Sequence, residues 1–496
     1  MPLFKKEKKR KIKGAKGLGA KLERELPYVV TLVTIMAASG ISPFGSFTKL
    51  ARYKLLPNMM SEARKIVNQV HILGEDPLTA MEKRANSTGS KQYRDLLLGY
   101  VSTVRNGGDI ASFLQSKMNS IFEFEVAIAR QSIAKVGGLV DAYMIMQVIA
   151  LSLYVVVVAL SSIPSGDLMP ASFSSPLFSY MLVFVMLPAI SIAIMYALDR
   201  TLSSSLIGAR NVLLKGVLFS VAAMAVFAAL AVAGIIQQVM DPAYAFPIFL
   251  AAASAWPAYK SMQFEKNMKG IESEIPSYLR DIAESRKAGL SPEKCIIYAS
   301  ERERDPRFQR VVKAFSNQLE WGMPLRKIYA NLAEQVKSRV ALIHFRILVE
   351  AIESGGGYTA SLEILAKSSE SSYNIEEEKK SLLKPYIFIA FMVTALMSIT
   401  TLMVAQTFID VSETILPGSS TEAAQAQTQI FSIGIAAQSW MTGFLMGKIS
   451  SGSFATGFRY AIILLAMSAG AAVLTLEFDI SPSVFMSPPM GEPKAT

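Results

Sequence analysis

The sequence predicts an all-α, multi-pass membrane protein in which a cytoplasmic helical domain followed by membrane spans is written twice. Three observations carry that prediction: long apolar runs free of Lys and Arg, a one-sided distribution of basic residues between them, and self-similarity at an offset of 249 residues. Hydrophobic residues are 51% of the 496 and charged residues only 18%, where a soluble domain has about a quarter charged. A single water-soluble enzyme is therefore excluded.

A helix needs about 20 mainly apolar residues to cross the hydrocarbon core. Seven stretches meet or approach that length: Val136 to Ile163, Pro176 to Leu198, Gly216 to Ile236, Ala243 to Tyr259, Pro385 to Phe408, Gln429 to Gly447 and Tyr460 to Leu476. The fourth is the shortest and carries Pro247 and Pro257. Lys and Arg are retained on the cytoplasmic side, so the intervening segments set the orientation. Residues 1–135 carry 23 of them and 260–384 carry 21, with three in 199–215 and two in 448–459. The alternate segments 164–175, 237–242, 409–428 and 477–496 hold only Lys494. The N terminus is thus expected inside the cell membrane and the C terminus outside. The organisation that follows is a flexible basic arm (1–21), a first helical domain (22–135), four spans (136–259), a second helical domain (260–384), three spans (385–476) and an external tail (477–496). The arm lacks the uninterrupted apolar core of a cleavable signal.

The repeat sets Leu22 to Pro43 over Ile271 to Pro292, with Glu23, Glu25, Pro27, Gly40, Ser42 and Pro43 identical to Glu272, Glu274, Pro276, Gly289, Ser291 and Pro292. Leu22, Leu26, Val30 and Val33 superpose on Ile271, Ile275, Leu279 and Ile282, a spacing that marks one helical face. Each helix then reaches a Gly suited to the left-handed position after a helix, and Ser-Pro supplies a cap and first-turn residue for the next. The offset returns at Gly107 and Gly108 over Gly356 and Gly357, and it carries the first two spans onto the fifth and sixth.

This order of motifs resembles the F domain of type II secretion and type IV pilus platform proteins. The matching residues are Pro27, Gly40, Pro77, Leu78, Gly107 and Gly108, and again Pro276, Gly289, Pro324, Leu325, Gly356 and Gly357. The 4 + 3 span count is similar to that of archaeal members serving pili or the archaellum. The resemblance implies a non-catalytic platform beneath which a hexameric secretion ATPase docks, and which lifts pilin or archaellin subunits from the lipid bilayer into a fibre. A secondary transporter is the alternative, and polar or charged groups at the bilayer midplane would favour it.

Candidate chemistry is sparse. The arm's Gly14 to Lys21 has the glycine spacing of a phosphate loop, but Ala20 stands where Lys is required; its charge suits anionic lipid heads or an acidic partner, and nucleic acid is not expected. Cys295 is the one cysteine, and His71 and His344 are the two histidines, so thiolate clusters and multi-histidine metal sites are excluded and no cofactor is expected. Gly355 to Gly357 could cradle an anion, against the simpler reading as a helix stop. Asp141 is the one carboxylate inside a span, a candidate functional group by position. Gly443 and Gly447 suit close helix packing, either within the chain or at the face of a homodimer. Arg280 and Lys287 project away from the Leu279 and Ile282 face of their helix; with Arg286 at the end of the same helix they are read as free to meet another protein and are the candidate ATPase-docking surface, because the first-repeat equivalents Thr31, Ala37 and Ala38 are uncharged.

The charge distribution generates a direct test. A membrane-impermeant thiol reagent applied to intact cells should label a Cys introduced at Ser419 and spare Cys295; the reverse pattern would invert the orientation.

Overall fold

The computed structural model describes residues 2–161, 181–202, 209–234, 236, 238, 240–355, 358–415 and 421–477. Gly356, Gly357, Ser419 and the external tail lie outside the described residues. The chain forms two compact units, one of residues 1–130 with 267–378 and the other of 131–266 with 379–496.

The first unit is helical throughout. Its first half consists of α1 (Pro2–Ala38), α2 (Pro43–Leu50), α3 (Pro57–His71), α4 (Pro77–Ser87), α5 (Lys91–Arg105) and the beginning of α6 (Ile110–Ser161). Its second half consists of α10 (Ile275–Lys287), α11 (Pro292–Glu301), α12 (Pro306–Glu320), α13 (Leu325–Gln335), α14 (Arg339–Gly355) and the beginning of α15 (Thr359–Ile415). The same punctuation recurs in both. Gly40 and Gly289 stop α1 and α10 at φ of 78° and 92°, where a side chain would be strained. Ser42 and Ser291 then cap α2 and α11 by accepting from the Gly45 and Lys294 amides, with Pro at the first helical position. The identical acids have matching work too. Glu23 accepts from Ser90, which caps α5, and Glu272 accepts from Ser338, which caps α14.

Two expectations are corrected here. The arm 1–21 is not a flexible extension but the first turns of α1, a segment rich in Lys, a good helix former. Its glycines build no phosphate loop. Gly19 lies against the backbone of Gly89, 2.6 Å from where its own Cβ would stand. Pro27 accordingly sits inside a helix, whereas Pro276 occupies the first turn of α10, so the shared proline has two local settings. Cys295 is fully buried, and burial pushes its thiol up. It would resist a reagent on either side of the membrane, so an exposed position such as Lys294 is the better internal control for the labelling test.

The second unit holds the remainder of α6, a π-helical turn (Leu182–Met186) leading into α7 (Leu187–Thr201), α8 (Ala209–Val232), most of α9 (Pro242–Glu272), the remainder of α15, α16 (Thr421–Ser451) and α17 (Gly457–Glu477). Five helical stretches among the described residues are long and apolar enough to cross a membrane: Ile110–Ala150, Phe184–Thr201, Asn211–Ala231, Thr359–Thr400 and Phe454–Val473. Large apolar side chains such as Leu218, Phe388 and Tyr196 face outward, as a lipid solvent permits. The chain is a multi-pass membrane protein. The expected fourth and sixth spans are helices, α9 and α16, yet neither joins that set. The described part of α16 carries Ser432, Gln438, Ser439, Thr442 and Lys448, all buried.

That burial is possible because α16 meets α17 at backbone distance. A Cβ on Gly443 would stand 2.5 Å from the Ala461 Cα, and one on Gly457 would stand 2.5 Å from the Phe444 Cα. The small-residue stripe therefore serves packing within the chain, not a homodimer face. Gly443→Val should cost about 1–3 kcal/mol, read as a lower unfolding temperature in detergent, while Gly470→Val, with open space at its Cβ, should change little.

Candidate functional site

The surface singled out on α10 is exposed but already engaged. Arg280 pairs with Glu370 at 2.7 Å and Lys287 with Glu363 at 2.8 Å, both acids lying on α15. Arg286 donates to the Leu290 carbonyl at 2.7 Å, closing the C-terminal turn of its own helix. These cations are therefore not free, as the sequence reading held, and their partners were missed because α15 lies some 80 residues downstream. Asp281 does not serve them. It is buried, and it binds Arg302 and the almost fully buried Arg304, which stacks near the Tyr278 ring and also reaches Glu274.

The lack of charge at Thr31 on α1 has a structural cause. Val29 through Met36 are buried without a break, Thr31 and Thr34 included. One side of α1 meets α6, where Thr34 is within 3.4 Å of the Leu114 carbonyl. Another side meets the second half of the unit: Tyr28 stacks edge-on with His344 at 5.8 Å, Arg339 reaches Glu25 and the Leu55 carbonyl, and Ser361 donates to the Ile35 carbonyl. The absence of charge at Thr31 thus follows from burial, since a cation there would be desolvated without a partner; Ala37 and Ala38 are only half-buried.

His344 is among those buried groups. Its Nδ1 donates to the Val340 carbonyl at 2.9 Å, and desolvation lowers its pKa to about 4. His71 is exposed and packs against Phe44. Neither histidine sits beside a nucleophile or a second imidazole, and no metal-holding cluster occurs among the described residues.

In the membrane unit the polar groups converge elsewhere than at Asp141, which is exposed on α6. Two residues on, Tyr143 is buried and its hydroxyl receives hydrogen bonds from Gln147 at 3.0 Å and Gln438 at 2.9 Å. The same hydroxyl lies 2.8 Å from Thr442, and Gln438 also donates to Ser191 at 2.8 Å. Three helices, α6, α7 and α16, are tied at this point. A cavity of about 20 Å³ adjoins it, lined by Gln147, Thr394, Ser398, Gln438, Ser439 and Thr442. The Gln438 Oε1 is buried without a protein partner. A search for charges in the spans overlooks this cluster, whose signal is the paired four-residue spacing of Tyr143 with Gln147 and Gln438 with Thr442.

With this geometry in view, the comparisons with known proteins bear on its second half. Residues 278–405 match the family described as Type II secretion system (T2SS), protein F. This segment is a type II secretion F domain. Over 388 residues the chain is also 22% identical to an uncharacterized protein of Methanocaldococcus jannaschii, covering 73% of this chain and 64% of that relative. The match thus spans less than two thirds of the relative's length. No solved structure matches the chain. The F domain so defined begins within α10 and extends into the apolar part of α15, so it contains Arg280, Arg286, Lys287, Gly289 and both acids that hold the cations.

Burial of His344 in the F domain makes acid stability predictable. Between pH 6.5 and about 4 the unfolded chain takes up a proton that the folded chain refuses, so stability falls as pH falls through that window, by up to about 3 kcal/mol. Unfolding temperatures measured from pH 7 to pH 4.5 should drop, and His344→Phe should flatten that drop.

Proposed function

We propose that the protein is the non-catalytic membrane platform of a type IV pilus-like machine, coupling a cytoplasmic secretion ATPase to extraction of pilin subunits and fibre assembly. The observation that carries this reading is the F domain at 278–405. Residues 22–135 form a second copy of it, supported by the shared glycine stops, Ser-Pro caps and Glu-to-Ser bonds. Both copies face the cytoplasm, and the basic-residue asymmetry supports that orientation. The archaeal form of the machine, pilus or archaellum, rests on the count of four spans and three.

The Tyr143 cluster is the one observation that favours a transporter, and its size decides against it. A cavity of about 20 Å³ admits about one water, whereas solute sites occupy about 300–1,000 Å³.

Removal of the gene should abolish surface fibres and leave pilin subunits in the membrane, with full-length protein restoring assembly. Intact fibres in its absence would sink the platform reading. The α10 face gives two opposed expectations for binding of the purified ATPase. Arg280→Gln with Lys287→Gln should weaken it, and Glu363→Gln with Glu370→Gln, which releases both cations, should strengthen it. Each exposed pair is worth less than about 1 kcal/mol to stability, so folding should survive. Binding unchanged in both would remove this face from the account.

A further inference from the structure

Reading the two halves of the chain as copies has a geometric corollary in the membrane unit. At the offset of 249, α6 begins where α15 begins, α7 ends within a residue of the end of α16, and α8 begins within a residue of the start of α17. Two copies related by a two-fold axis meet at their own equivalents only along that axis. Such meetings are present. The Tyr386 ring lies against Gly137, its Cζ 2.6 Å from where a Cβ would stand, and these positions differ by 249. Lys448 and Asp199 form an ion pair at 2.7 Å and also differ by 249. In the helical unit the groove between α6 and α15 is lined by Met118, Asn119 and Phe122 together with their equivalents Lys367, Ser368 and Ser371.

At both meetings in the membrane unit the residues are complementary. Glycine faces tyrosine, and aspartate faces lysine. Lys448 is only 1% exposed and is further covered by the Phe454 ring at 5.0 Å. Two first halves paired the same way would set Asp199 against Asp199 and leave a gap at Gly137. Two second halves would bury Lys448 beside Lys448 and drive Tyr386 into Tyr386. We propose that Gly137, Asp199, Tyr386 and Lys448 form a pairing code at a pseudo-two-fold seam, by which the first half of the membrane unit accepts the second half of its own chain and rejects another copy of itself. The proposal rests on the duplication but not on the secretion role. Specificity here comes from making the like-with-like arrangement costly.

The test uses the full-length chain in native membranes, with Cys295→Ala and cysteines at Arg130 and Glu378, whose side chains meet at 2.8 Å between α6 and α15. A short bis-maleimide should join them within one chain, giving monomer-mass product. Asp199→Lys and Lys448→Asp should each lower that yield several-fold, and the double reversal should restore at least half of it. Lys448→Met, which buries no charge and should fold in any case, should keep the unfolding temperature while allowing dimer-mass product to appear. Gly137→Ala should lower the unfolding temperature by several degrees, and Tyr386→Ala should suppress most of that loss. Single reversals that cross-link like the parent, a double reversal no better than the singles, or Gly137→Ala unrelieved by Tyr386→Ala would overturn the proposal. None of these readouts involves fibres or ATPase, so failure of the platform reading is seen separately.

Discussion

The helical unit depends on one stretch of helix that has no solvent face. From Val29 to Met36 every residue of α1 is buried, because α3, α5 and α6 take one side and α14 with the start of α15 takes another. Burial of this kind is worth about 25 cal/mol per Å² of apolar surface. The constraint then propagates. Thr31 and Thr34 can be tolerated only because their hydroxyls bond back to the Pro27 and Val30 carbonyls, and Glu25 only because Asn58, the Met59 amide and Arg339 all serve it.

Much of the architecture was legible because it is written in local chemistry. Gly40, Gly289, Ser42 and Ser291 take the conformations and bonds their types demand, whatever surrounds them. The charge segregation and apolar runs are equally local, and they located five of the seven expected spans. The failures lie where a residue's meaning depends on something distant in sequence. Thr31 reads as a neutral surface position until α14 and α15 are laid over α1, and Arg280 and Lys287 read as free until Glu370 and Glu363 arrive from α15. Asp141 drew notice by its charge, yet the neutral Tyr143, Gln147, Gln438 and Thr442 assemble the buried network. Hydropathy likewise undervalues α16, whose polar side chains are spent on partners inside the bundle rather than on lipid.

The polar network and the ion pairs of the membrane unit meet the cost of burial in two ways. Tyr143 and its partners are uncharged and satisfy one another except at the Gln438 Oε1, which faces the small cavity. Lys448 with Asp199, and Arg459 with Glu265, each join one buried charge to a partner that is partly exposed. The buried charges are thus neutralised by pairing, and the amides and hydroxyls fix how the helices are turned toward one another.

The contact of α16 with α17 has a mechanical side. With glycines at 443, 447 and 457 placing backbone against backbone and the Phe444 and Phe458 rings packed edge-to-face, the two helices are closely interlocked. A joint so tightly filled has little room to absorb a displacement. A push delivered at the Gly452 turn that links them would travel along both helices as along a single stiff rod, and any flexing would have to occur at softer joints, such as the π-helical turn at Leu182–Met186 ahead of α7.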